Sequence, residues 1–229
     1  MTKSVTSLEN NSQEFYFWDM DHTIIKNDCD VSWKEFLVKR GTAPQDALQK
    51  ADDFYQDYLD NCLDQDEFMD FQLAEFAGQS ESEMDQIAQE HFDEIVRELI
   101  YPEAEATIRR QLAEGKRLCL ITATNTVIAK PLAKYLGIEN VIASELEFTD
   151  GTYTGKRTGI YCLGQGKVDL MKILFEDVGG SLDQSHYYGD SSADIVILEQ
   201  VAFPHAVNPG EKLLAAAKLN DWDIIEFNL

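Results

Sequence analysis

The sequence predicts an α/β protein: a doubly wound, Rossmann-like parallel sheet into which an all-helical segment is inserted. Three observations carry that expectation. The run Phe15, Tyr16, Phe17, Trp18 is apolar at every position, the pattern of a strand covered on both faces. The residues that follow, as far as Tyr101, show helical spacing and helix-end signals but no strand pattern. From Glu103 onward, short apolar runs alternate with helical patterns, and repeated strand-then-helix units build parallel sheets.

The first strand is expected at about 14–19. Ser32 with Glu35 has the spacing of a capping box, with Gly41 as the stop; Pro44 starts a helix towards Asn61. Asp64 with Glu67 starts another that ends at Gly78, and Ser80 with Glu83 opens a fourth that runs to Ile100 before Pro102. Phe68, Phe71, Leu73 and Phe76, and then Ile87, Phe92, Ile95 and Leu99, give these helices apolar faces. Next come a helix from Glu103 to Gly115, a strand over Arg117 to Ile121 and a helix from about Asn125 to Gly137 with Pro131 inside it. A strand near Val141, extended pieces around the Asp150-Gly151 turn and a helix from Gly166 to Asp177 follow. The chain closes with a strand from Ser185 to Tyr188 leading into Gly189, a helix, a strand over Val201 to Val207, a helix from Pro209 and an extended piece over Ile224 to Phe227. The division that results is a core of residues 1–25 and 103–229 and a helical cap of residues 26–102.

At 229 residues the chain is long enough to bury a core without disulfides. Cys29, Cys62, Cys119 and Cys162 are widely spaced and form no Cys-x-x-Cys pair, so they read as reduced thiols. The stretch Met1 to Gln13 is polar and lacks a signal-peptide profile, and no apolar run approaches the roughly 20 residues of a membrane span. A soluble, cytoplasmic protein is expected. The formal net charge is −23, and between Asp46 and Glu98 there are 17 acids against Lys50 and Arg97 alone. Such a surface repels nucleic acid. A small phosphate ester is compatible with it, because screening over about 8 Å leaves the site's own charges to decide. Nothing in the sequence speaks to an oligomeric state.

Asp19 and Asp21, with Thr23 behind them, stand where the first strand surfaces, and strand carboxyl ends form the ligand crevice of open α/β sheets. Further polar residues occupy equivalent places. Thr122 ends the apolar run Leu118-Cys119-Leu120-Ile121, Lys167 follows Gly164-Gln165-Gly166 at a helix start, and Gly189-Asp190 with Asp194 ends a later strand. A calcium loop through Asp19, Asp21, Thr23 and Asp30 fails, because Ile24 stands where the sharp turn needs glycine. A phosphate loop at Lys167 fails because Val168 follows it, and His22, His91, His186 and His205 lack zinc-ligand spacing.

Taken together, Asp19-x-Asp21-x-Thr23, Thr122, Lys167 and Gly189-Asp190-x-x-x-Asp194 resemble the four signatures of the haloacid dehalogenase-like hydrolases. The helical segment between the first two resembles the subfamily that includes phosphoserine phosphatases. The resemblance implies a magnesium-dependent phosphatase for a small phosphorylated metabolite. Asp19 would be the nucleophile that becomes an aspartyl phosphate, Asp21 the acid and base, Thr122 a phosphate ligand helped by free N–H groups of the next helix, and Lys167 the compensating cation. Mg2+ would be held by Asp19, the backbone carbonyl of Asp21 and Asp190, with Asp194 orienting a water or the lysine. Asp28 stands nine residues after Asp19, where those phosphatases carry an acid for the substrate's ammonium. Asn125 and Arg40, with Arg97 as the other arginine of the cap, are further candidates for substrate binding. Two departures from the phosphoserine phosphatase pattern, Ala123-Thr124-Asn125 after the hydroxyl residue and Ser191 and Ala193 in the fourth signature, point away from phosphoserine itself. Cap closure is expected, hinged near Ile25 to Ser32 and Tyr101 to Glu103. A phosphotransferase or mutase would keep the same residues; haloacid dehalogenation needs neither Asp21 nor the metal; and a noncatalytic phosphoester-binding protein is the alternative outside enzymology.

Overall fold

The aromatic run becomes the central strand of a seven-stranded sheet. The computed structural model describes residues 14–59 and 62–229; the polar stretch Met1 to Gln13 and the expected helix end at Asn61 lie outside the described residues. The strands are Phe15–Trp18 (β1), Arg117–Asn125 (β2), Asn140–Thr149 (β3), Thr152–Thr158 (β4), His186–Gly189 (β5), Phe203–Val207 (β6) and Asp223–Ile225 (β7). Their order is β4-β3-β2-β1-β5-β6-β7, and every pairing is parallel except β3 with β4. That one hairpin turns at Asp150 and Gly151, both at positive φ as a tight two-residue connection demands.

Side chains alternate along β1, and each set meets a different layer. Phe15 and Phe17 pack with Cys119, Ile121 and Tyr187 against Gln165–Val178 (α7), Ile195–Leu198 (α8) and Glu211–Asn220 (α9). Tyr16 and Trp18 pack with Leu118, Leu120 and Tyr188 against Pro102–Ala113 (α5) and Thr126–Leu136 (α6). Helices therefore cover both faces, the arrangement of a doubly wound sheet. Pro131 sits inside α6 without ending it; the helix runs from its Asn125 cap to Gly137, which takes the left-handed conformation.

Between β1 and α5 the described chain is helical: Cys29–Arg40 (α1), Ala47–Leu59 (α2), Gln65–Leu73 (α3) and Glu81–His91 (α4), the last extended by single irregular turns as far as Leu99. The caps at Gly41, Asp64 and Ser80 are formed as the sequence predicts, the last as a full capping box with Glu83. The expected box at Ser32 is not. Asp28 caps α1 by accepting from Val31 N at 3.1 Å, so the helix starts earlier, and Ser32 lies inside it with its hydroxyl held by Asn27 and His91. The second helix likewise starts at Ala47 instead of Pro44, and the third ends at Leu73 with a tight turn before Gly78. The inserted helices share one apolar core with the sheet: Trp33, Phe36, Phe76, Met84 and Phe92 join Trp18, Leu120 and Leu132. Each such side chain contributes roughly 2 kcal/mol on burial. The two connecting segments also pair with each other, through an Ile25–Ile100 bridge, Lys26 N to Leu99 O at 2.7 Å and Tyr101 N to Ile24 O at 2.9 Å.

Candidate active site

The carboxyl ends of β1, β2 and β5 and the first turn of α7 meet on one side of the sheet, and four side chains far apart in sequence converge there. Asp19 leaves β1 almost wholly buried. Its Oδ1 accepts from Met20 N at 2.8 Å, and its Oδ2 lies 2.8 Å from the Lys167 ammonium. Lys167 reaches this point because Gly164 and Gly166 shape the entry to α7. A Cβ on Gly166 would sit 1.9 Å from the Tyr161 carbonyl oxygen, which no side chain allows. The lysine also donates to Tyr187 OH at 2.9 Å and lies 3.1 Å from Asp194 Oδ1. Tyr187 OH in turn donates to that same Asp194 oxygen at 2.6 Å, and Ser191 N and Oγ occupy the other at 3.2 Å each. Gly189 makes room for this, since a Cβ there would stand 2.7 Å from Asp194 Oδ2.

Asp190 follows Gly189, and its Oδ1 accepts from Thr23 Oγ1 at 3.3 Å. Ligand oxygens of Asp19, Asp190 and Asp194 all fall within 4.8 Å of one another. This all-oxygen donor set suits a hard divalent cation. Asp194 is wholly buried behind Lys167, Tyr187 and Ser191, whereas Asp19 and Asp190 line the cavity, which makes these two the side chains placed to ligate an ion entering it.

Asp21 is turned back beside Asp19 by a tight loop in which Ile24 N bonds Met20 O at 2.9 Å and His22 adopts φ 55°, a sparsely populated conformation for a non-glycine residue. Both Asp21 oxygens are fixed, Oδ1 by Cys29 N and Oδ2 by Thr124 Oγ1, each at 2.8 Å. Thr122, fully buried, accepts from Thr124 N at 3.1 Å.

Burial dominates the electrostatics. It raises the Asp19 carboxyl to about 6; the Lys167 ammonium opposes the rise and Asp194 adds to it. Asp21 is driven well above the usual carboxylate range, first by burial and then by Asp28, Asp30 and Asp19. Asp190 rises for the same first reason, with Asp19 and Asp194 next. For Lys167 burial acts to lower the pKa, but Asp19 and Asp194 together outweigh it and hold the ammonium well above its ordinary value.

Above these groups opens a cavity of about 700 Å³, walled by α1, α2 and α3 and floored by the strand ends. Asp19, Asp21, Asp28, Thr122, Lys167 and Asp190 all line it. Two expected substrate residues do not. Arg40 lies at the exposed end of α1 and pairs with Glu90, because α1 starts at the cavity and points away from it. Arg97 pairs with Asp93 on the surface in the same way. Asn125 is buried beneath the wall, and its Oδ1 accepts from Val127 N and Ile128 N, so those α6 amides are not free for a phosphate. β2 runs on to Asn125 past an irregularity in its pairing with β3, which places Thr122 to Thr124 at the cavity and Asn125 behind it. Sequence reasoning missed Tyr187 and Thr124, which orient Asp194 and Asp21. Only the position of Thr124 two residues after Thr122 hinted at it, and Tyr187 read as one more strand residue. It also missed the aromatic and amide lining from Phe54, Phe68, Gln72 and Tyr161.

The family model for haloacid dehalogenase-like hydrolases matches residues 16–199. The chain belongs to this family. A histidinol-phosphatase of Neisseria meningitidis is 32% identical over 92% of this chain and 97% of its own length. A probable phosphatase of Mycobacterium tuberculosis is 27% identical over 93% of the chain and 75% of its length. Among solved structures, a Bordetella pertussis protein of unknown function shares 30% identity and superposes with a TM-score of 0.87 over 94% of this chain and 99% of that one. A substrate-bound phosphoserine phosphatase shares the fold at 14% identity, with a TM-score of 0.68 over 95% of this chain and 94% of that one. The doubly wound α/β fold expected from the sequence is the fold observed. Among the described residues no helix is long and apolar enough to cross a membrane.

Proposed function

We propose that this hydrolase is a magnesium-dependent phosphatase that cleaves a small phosphomonoester with an amine-bearing leaving group, through an aspartyl phosphate on Asp19. The observation that carries the reading is the buried Asp19 carboxylate held 2.8 Å from Lys167 with Asp190 beside it, at the floor of a cavity sized for one metabolite. Asp19 oxygen attacks phosphorus and the bond from phosphorus to the ester oxygen breaks. Asp21, whose surroundings favour the protonated carboxyl, gives its proton to the departing alkoxide. A water then attacks the aspartyl phosphate, Asp21 takes its proton back, and inorganic phosphate leaves with Asp19 restored. Lys167 faces the negative charge that gathers on the phosphoryl oxygens, and the Thr122 hydroxyl offers a further donor. Asp19, Asp190 and the Asp21 backbone carbonyl would hold Mg2+, which would neutralise charge on the transferring group. Asp194 and Tyr187 keep Lys167 aimed.

For the leaving group, Asp28 and Asp30 present carboxyl groups at the cavity wall, the Asp30 carboxyl being pushed up to about 7 by burial and then by Asp28, and among the described lining residues the cations are Lys26 and Lys167, with no arginine. That favours an amine over an amino-acid carboxylate. The name of the Neisseria relative makes histidinol phosphate the compound to try first. The reduced thiols Cys29, Cys119 and Cys162, all buried, suit a cytoplasmic setting. The experiment is turnover of p-nitrophenyl phosphate: the expected result is activity that EDTA removes, that Mg2+ restores and that Asp19→Asn loses. Unimpaired turnover by Asp19→Asn overturns the proposal.

A further inference from the structure

Asp30 stands in the first turn of α1, lines the cavity and is partly exposed. Among the described residues no hydrogen bond or ion pair holds its carboxyl. Neither of its oxygens is sealed from solvent, so a molecule in the cavity can reach them. Its charge acts on Asp21 and, more than any other charge, on Tyr161, and both of those residues line the cavity too. The other carboxyls of the lining have tasks. Asp28 Oδ1 accepts from Val31 N at 3.1 Å as the cap of α1, Asp21 is fixed at both oxygens, and Asp19 and Asp190 belong to the phosphoryl end.

An acid at a helix start is commonly explained by the helix dipole alone, but such an acid is solvated. Asp30 is not. Burial and then Asp28 push its carboxyl up to about 7, and Lys34 is the cation that opposes the rise. Lys34 is itself committed to Glu75 and to the Phe71 carbonyl oxygen. Of the two lysines in the lining, Lys167 lies 2.8 Å from Asp19, and the exposed Lys26 makes no ion pair among the described residues. Neither neutralises Asp30. The Tyr161 phenol is pushed up by burial and by Asp30, so it stays uncharged. Near pH 7 the Asp30 carboxyl is therefore divided between its neutral and charged forms, and a cation beside it selects the charged one. The aromatic faces of Phe54, Phe68 and Tyr161 in the same lining also suit a cation on an apolar body.

We propose that Asp30 is a specificity determinant, its carboxylate pairing with an ammonium on the substrate's leaving group, while Asp28, the acid singled out by the family resemblance, serves chiefly as the cap of α1. The proposal rests on the phosphatase reading above and names the residue that selects the substrate. L-Histidinol phosphate is the probe because it carries an aliphatic ammonium. Its deaminated analogue, imidazolylpropyl phosphate, keeps the ring and the ester without that charge, and p-nitrophenyl phosphate is the control for the phosphoryl end.

Kinetics of the wild-type protein, Asp30→Asn and Asp28→Asn with Mg2+ test it. Asp30→Asn keeps the shape of the side chain and removes its charge. It is expected to lower kcat/KM for histidinol phosphate about tenfold or more relative to p-nitrophenyl phosphate, through KM, with kcat within about threefold. The same variant should shift the deaminated analogue by less than about threefold on that scale. Asp28→Asn keeps a cap acceptor and should shift the histidinol phosphate ratio less than Asp30→Asn does. Equal losses on all three esters, no change in the ratio, an equal loss on the deaminated analogue, or a larger effect of Asp28→Asn overturns the proposal. Wild-type turnover of p-nitrophenyl phosphate without turnover of histidinol phosphate overturns it too, while the phosphatase reading stands. Calorimetric binding of L-histidinol, the dephosphorylated product, reads the same subsite independently of catalysis. About tenfold weaker binding to Asp30→Asn is expected, and no binding to the wild-type protein counts against the proposal even where Asp19→Asn has already removed the phosphatase reading.

Discussion

Asp21 illustrates how neighbours set the chemical character of one residue. The same side chain type stands two positions earlier, but Asp19 has a lysine at 2.8 Å and Asp21 has none; its partners are a backbone N–H and a threonine hydroxyl. Burial and the surrounding carboxylates push Asp21 towards the protonated form, while Lys167 holds Asp19 closer to the charged form a nucleophile requires. Two carboxylates whose environments separate them in this way suit the roles of proton donor and nucleophile. The consequence is specific. p-Nitrophenolate leaves without protonation, whereas water needs its proton removed, so Asp21→Asn should release roughly one equivalent of nitrophenolate per site in a burst and then turn over slowly. The slow phase should be about 10²- to 10⁴-fold below wild type, the range general base catalysis supplies. Rapid-mixing absorbance checks this, and a variant with full steady-state turnover would remove Asp21 from the mechanism.

At the scale of elements, α1 and α3 wall the cavity and are tied to each other by Lys34. Its ammonium is completely buried, bonded to Glu75 and to Phe71 O at 2.9 Å, and sits 4.2 Å from the centre of the Phe71 ring. Burial lowers the Lys34 pKa, and Glu75 counters that. Breaking one side of such a pair leaves a stranded charge, so Lys34→Met should destabilise by about 3–5 kcal/mol. Removing both, in Lys34→Met with Glu75→Leu, should recover more than half of the loss. Urea midpoints at pH 7 give the comparison, and a double variant no more stable than the single one would show that the pair is not the link. None of this was legible in the sequence, where Lys34 stands between the Ser32 and Glu35 of an expected capping box. The pattern of Ser32 and Glu35 fitted a helix start, but Asp28 captures the first free N–H groups one turn sooner, and a helix is capped only once. The box at Ser80 and the cap at Asp64 were legible because each stands directly before the first residue of its helix.

At the scale of the molecule, the inserted helices and the sheet share one apolar core, and His91 sits within it. Trp33 and Phe36 pack around its imidazole, Ser32 Oγ lies 3.0 Å from Nε2, and burial lowers its pKa to about 4. The unfolded chain takes up that proton near pH 6.5 and the native protein only near pH 4, so the unfolded state binds more protons between those values. Stability from the neutral imidazole is therefore complete above about pH 6.5 and is lost as pH falls towards 4, by roughly 3 kcal/mol at most. His91→Gln keeps a hydrogen-bonding group for Ser32 and does not titrate, so its stability should fall less steeply across that window. Urea unfolding at half-unit pH steps measures this, and equal slopes for both proteins would exclude His91 as the titrating group. Because His91 is packed in the shared core, far-ultraviolet dichroism and tryptophan fluorescence should report one midpoint at each pH.

The sequence by itself determined the parallel sheet, because short apolar runs alternate with helical patterns and the aromatic run at 15–18 fits a strand buried on both faces, and it determined the polar residues at strand ends, because those positions are set by where apolar runs stop. It also determined that a helical segment interrupts the α/β pattern, since helical spacing and caps are local signals. Only the tertiary structure decided which candidates meet. Arg40 and Asn125 carry the right chemistry, but a helix axis directs one away from the cavity and a cap contact uses the other. Tyr187 and Thr124 enter the site because strand register and helix packing bring together residues between which no spacing rule operates.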